Sequence, residues 1–96
     1  MQYRIKSIKH TGTKGLRGTE RLDGRYPLRI GRIVNLNLEY IQLGAVMILP
    51  YVKNADGTDY SKYHLRTSCV KRIEESEDKK VVRLETINSL FEFEKV

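Results

Sequence analysis

Ninety-six residues, with 18 Lys or Arg against 12 Asp or Glu, make a basic chain of formal net charge +6. At 40% apolar and 31% charged residues, residues 1–96 suit one ordinary folded domain and not a disordered tail. The longest apolar run, Ala45–Val52, has strand length and is far short of the roughly 20 residues that cross a bilayer, which excludes a membrane-spanning helix.

The apolar pattern is that of strands broken by turns. Tyr3, Ile5 and Ile8 partly alternate within residues 2–9 and predict a first strand with a slip near Ser7. Residues 10–25 follow as a long basic loop. Gly12, Gly15, Gly18 and Gly24 make it too glycine-rich for a helix, and its polarity excludes a buried strand. Pro27 introduces a second strand over Leu28–Leu36, with a bulge at Gly31. Residues 37–44 fit either an extended segment or a turn of helix with Asn37 as N-cap and Gly44 past its end; an extended segment or short turn is the preferred reading.

Ala45–Val52 is rich in β-formers and predicts a central strand covered on both faces, with Pro50 at its edge or end. Asn54-Ala55-Asp56-Gly57 is a turn signal, and Tyr60–Leu65 suits the returning partner strand. Thr67 and Ser68 break the pattern before Cys69, Val70 and Ile73. Ser76–Lys80 reads as a charged hairpin connection, after which Val82, Leu84 and Thr86 alternate. Asn88 and Ser89 interrupt, and Leu90–Val96 closes the chain with Phe91 and Phe93 on one face.

Five to seven short strands with no long helix predict an all-β fold: a small, SH3-like, strongly curved barrel, because a sheet of this size hides its edges by closing on itself. Tyr3, Tyr40 and Tyr51 are expected in its core.

The segments Leu65-Arg66-Thr67-Ser68-Cys69-Val70 and Thr86-Ile87-Asn88-Ser89-Leu90-Phe91-Glu92-Phe93 resemble small uncharacterised β-barrel proteins of phages and mobile elements of Gram-positive bacteria. The Thr-x-Asn-Ser-apolar-x-x-Phe ending is also similar to the last strand of SH3-like barrels. The resemblance covers about the last third of the chain. It implies a fold and a genomic setting, and it assigns no catalytic residue. The chain departs from SH3 domains in lacking the Trp and the set of surface aromatics that form their peptide groove.

Charge is unevenly placed. Residues 1–33 hold nine Lys or Arg against Glu20 and Asp23, a net +7, whereas residues 34–96 carry a net −1. A concentrated positive field suits a polyanion, so Lys14, Arg17, Arg21, Arg25, Arg29 and Arg32 are the candidate anion- or nucleic-acid-binding residues. In the loop, glycines would let backbone N–H groups approach a phosphate while Lys14 and Arg17 supply charge. A plain exposed connection would have the same composition, and the P-loop pattern is absent. Arg25 and Arg29 share a parity on a strand, and Arg32 joins them only if Gly31 bulges. Tyr60 and Tyr63, beside Lys62, His64 and Arg66, offer rings for stacking on bases, and equally suit the rim of a small core.

Nothing points to catalysis. Ser68 and Cys69 lie too far along a strand from His64 to form a nucleophile–base pair, and Glu74, Glu75, Glu77 and Asp78 read as a solvated turn. His10, His64 and Cys69 do not make a metal site, and no cofactor is implied. The lone Cys69 and the absence of a long apolar segment near Met1 lead to the expectation of a cytoplasmic protein without a membrane partner.

The expected function is non-enzymatic contact with a polyanion, nucleic-acid backbone above all. Two alternatives remain: an inhibitor or adaptor directed at an acidic or nucleoprotein surface of a host defence complex, and a module that holds an anionic nucleotide. An exposed strand edge could also pair two copies into a homodimer.

Overall fold

Strict period-two alternation cannot place Tyr3, Ile5 and Ile8 on one face, because five and eight differ in parity. The chain solves this with a register shift between Ile5 and Ser7 in the first strand, β1 (Gln2–His10), so all three side chains are buried. The slip expected near Ser7 is this bulge, and it bends β1 so that it can pair on both sides. A computed structural model describes every residue from Met1 to Val96. The remaining strands are β2 (Ile33–Asn35), β3 (Val46–Lys53), β4 (His64–Glu75), β5 (Val81–Thr86) and β6 (Ser89–Lys95). Each pairs antiparallel with its neighbour in chain order, and β6 returns to β1 to close the barrel. The all-β, strongly curved barrel read from the sequence is therefore the fold, with six strands, consistent with a small SH3-like barrel.

Every strand sends side chains inward. Val82, Leu84 and Thr86 of β5 face Phe91 and Phe93 of β6, whose rings stack with centroids 5.6 Å apart. Truncating a fully buried ring such as Phe93 to Ala typically costs about 3–5 kcal/mol. The tight β5–β6 turn is locked from within. Thr86 Oγ1 accepts from the Ser89 amide at 3.1 Å and donates to the Ser89 carbonyl at 3.3 Å.

Several local expectations are corrected. Leu28–Leu36 is not one strand: Tyr26–Arg29 is a single helical turn, α1, and only Ile33–Asn35 pairs in the sheet. Gly31 is a left-handed turn residue at φ +90°, not a bulge within a strand. Residues 38–40, by contrast, form a short turn as preferred, one turn of 3₁₀-helix capped by Asn37 Oδ1, which accepts from the Glu39 amide at 3.1 Å. Strand β3 is not covered on both faces. In a closed barrel one face of each strand looks outward, and Val46 and Ile48 are exposed while Met47, Leu49 and Tyr51 are buried. Thr67 and Ser68 lie within β4 and do not end it, but they do break the pattern: the register with β3 shifts there, from Ile48 opposite Arg66 to Val46 opposite Cys69, and inward-facing Thr67 Oγ1 accepts from the Met47 amide at 3.3 Å. The partner strand starts at His64, and Tyr60–Tyr63 is the turn before it. Tyr3 and Tyr51 are core residues, but Tyr40 is 81% exposed at the end of the 3₁₀ turn.

Candidate functional site

The segment from Asp23 to Arg32 turns twice, and each turn positions arginines. The Tyr26 amide donates to the Asp23 carbonyl at 3.3 Å, and Pro27 occupies the first helical turn, where its fixed φ fits and its missing N–H is not needed. One helical turn brings residues four apart onto one side, so Arg25 and Arg29 become neighbours. Gly31 then reverses the chain, its N–H donating to the Ile5 carbonyl at 2.8 Å. A Cβ at Gly31 would lie 3.2 Å from Ala55 Cβ, so both the positive φ and the close approach call for glycine.

Past Gly31, Arg32 faces the far end of β3. Its Nε donates to Asn54 Oδ1 at 3.1 Å, and its guanidinium lies 4.5 Å from the Tyr60 ring centroid and 5.2 Å from that of Tyr51. Asn54 Oδ1 also accepts from the Ala55 amide at 2.8 Å, which fixes its orientation. The tyrosines are held by backbone. The Tyr60 amide donates to the Val52 carbonyl, the Tyr63 amide to the Tyr60 carbonyl, and the Tyr51 amide to the Tyr63 carbonyl, all within 3.2 Å. Tyr60 packs edge-on against Tyr51 at 5.2 Å and lies tilted against Tyr63 at 4.6 Å.

These two segments enclose a cleft of about 370 Å³. Arg25, Arg29 and Arg32 line it together with Tyr51, Tyr60, Tyr63 and His64, with buried Leu65 and exposed Leu28 completing the lining. No lining residue is acidic, and none of the three arginines is paired with a carboxylate. Arg29 is steadied from below by the Tyr26 ring, 4.6 Å away.

The other three candidates are placed elsewhere. Arg17 forms a two-pronged ion pair with Glu85, at 2.8 and 3.4 Å, and also donates to the Thr11 carbonyl. The Arg17 hydrogen bonds and charge hold the Glu85 carboxyl below its ordinary range. Arg21 is 4% exposed, which corrects its reading as a ligand contact. Its guanidinium donates to both Asp23 carboxylate oxygens, to the Asn88 carbonyl and to Ser89 Oγ, and it stacks 3.8 Å from the Tyr26 centroid. Lys14 is exposed on the loop and makes no ion pair. That loop is anchored over the β5–β6 turn, with Thr11 donating to the Ile87 carbonyl and Thr13 to Asn88 Oδ1. Gly15 lies against the His10 ring, where a Cβ would come within 2.8 Å of three ring carbons. His10 Nε2 is 3.7 Å from Asp23, and its buried Nδ1 has no hydrogen-bond partner. The loop is thus tied down at Thr11, Thr13 and Arg17 over the barrel end, while most of its residues, Leu16 among them, stay exposed.

Sequence reasoning missed Tyr51 as part of the cleft and Asn54 as the residue that holds Arg32. The signal for Asn54 was its place in the turn after β3, where the pairing of Ile33 with Lys53 brings Arg32 alongside. Ser68 accepts through Oγ from the Asn88 amide at 3.2 Å. No group of three His, Cys, Asp or Glu side chains is arranged to hold a metal ion, and no helix is long and apolar enough to cross a membrane. No protein-family model matches the chain, and no curated protein or solved structure matches it significantly.

Proposed function

We propose that the protein is a non-enzymatic binding module that holds nucleic-acid backbone in the cleft of Arg25, Arg29 and Arg32. The observation that carries this reading is three arginines without carboxylate partners converging on an acid-free cleft beside three tyrosines. Guanidinium groups suit bidentate contact with phosphate, and contacts of this kind fix position without reading sequence. The resemblance to barrels of mobile elements supports a role in such an element.

The test is fluorescence anisotropy with labelled DNA and RNA across a range of salt concentrations. Replacing Arg25, Arg29 and Arg32 together by Ala should flatten the salt slope by roughly 2–3, at about 0.9 per phosphate contact on duplex. Arg17→Ala should leave that slope unchanged, because Arg17 is engaged by Glu85. Absence of binding at low salt, or a triple variant with the parental slope, would refute the proposal. An acidic protein surface is the competing occupant, and a partner retained from lysate after nuclease treatment would favour it.

A further inference from the structure

We infer that the cleft takes unpaired nucleotides, with a base against Tyr63 and its phosphate on Arg25 and Arg29, so that the protein selects single strands over duplex. This inference rests on the nucleic-acid reading above and adds to it the class of nucleic acid.

Phosphates alone would be met by exposed arginines on any surface. Here they share a concave space with rings, and a duplex buries the faces of its bases inside its stack, where no ring in a side wall can reach them. Tyr63 is 57% exposed. It is nevertheless a fixed platform. Its amide and carbonyl are both bonded, to Tyr60 and Tyr51, and its ring is backed by Tyr60 at 4.6 Å. Tyr60 in turn is backed by the Arg32 guanidinium, which Asn54 holds in place. An exposed ring braced in this way needs little ordering when a base stacks on it, and stacking on such a ring is tolerant of base identity. The cleft volume of about 370 Å³ lies within the range of small-molecule sites, so it suits a base with its sugar and not a helix.

The test uses the full chain and a labelled single strand of about 12 nucleotides, compared with the same strand annealed to its complement. The single strand should bind at least about tenfold more tightly than the duplex at equal salt. Tyr63→Ala should weaken single-strand binding roughly five- to a hundredfold, leave duplex binding within about twofold and leave the salt slope unchanged. Tyr63→Phe keeps the ring and should bind within about twofold of the parent, which separates stacking from a folding defect. Equal or tighter duplex binding, or a Tyr63→Ala variant that weakens both ligands alike or neither, overturns the single-strand inference and leaves backbone binding standing. A free nucleoside monophosphate that binds as tightly as the strand also overturns it, in favour of a nucleotide pocket. Binding of neither strand nor duplex removes the nucleic-acid reading, and this inference with it.

Discussion

Arg21 directs its guanidinium inward, where it joins Asp23 to the start of β6 through Asn88 and Ser89. Arg21→Ala would leave Ser89 Oγ and the Asn88 carbonyl without their charged donor, and should cost about 2–3 kcal/mol in urea unfolding. Arg21→Lys should recover only part of that, since a single ammonium cannot reproduce the fork on Asp23. The acid side of the stability profile follows from the same contacts. The Arg21 hydrogen bond holds the Asp23 carboxyl below its ordinary range, and Arg17 does the same for Glu85. A depressed carboxyl pKa contributes stability that is full above the unfolded value and is lost as pH falls through the folded one. The protein should therefore lose stability on acidification through the carboxylate range. Asp23→Asn should flatten the dependence of the urea midpoint on pH there.

Among the elements, the β4–β5 hairpin departs from ideal turn chemistry at one residue. Asp78 Oδ1 accepts from Ser76 Oγ and from the Lys80 amide, while Lys79 adopts φ +60°. A side chain in that conformation is strained by about 1 kcal/mol, so Lys79→Gly should raise stability by about 0.5–1 kcal/mol in thermal or urea unfolding. The charged Ser76–Lys80 connection was legible because the polar run is flanked by alternating Val82, Leu84 and Thr86. The closing strand was legible because Phe91 and Phe93 alternate without ambiguity. What sequence reasoning could not supply is how Arg25, Arg29 and Arg32 come together. Their convergence depends on one helical turn and one left-handed glycine inside a stretch that reads as extended, and on a partner, Ala55, that is distant in sequence. Gly31→Ala tests this juncture. It should lower stability by about 1–3 kcal/mol and weaken nucleic-acid binding in the same variant, because Arg32 moves with the turn.

Across the whole molecule, charge is sorted by surface. The outer faces of β4, β5 and β6 carry Arg72 paired with Glu74 and Arg83 near Glu92 at 3.9 Å, so that side is a nearly neutral lattice of opposed charges. Lys6 of β1 is likewise paired with Glu94 of β6, and the cleft arginines, Lys14, Arg4 and Lys9 stand without an ion-pair partner. Raising salt should accordingly weaken ligand binding steeply while changing the unfolding midpoint little, since exposed ion pairs contribute only about 0–1 kcal/mol each. The chain has six tyrosines and no tryptophan, and three of those tyrosines, Tyr51, Tyr60 and Tyr63, form the aromatic wall. Half of the molecule's intrinsic ultraviolet emitters therefore stand at the one place where a ligand is expected to arrive. A bound base should dim that glow, and the unlabelled protein becomes its own optical reporter of occupancy.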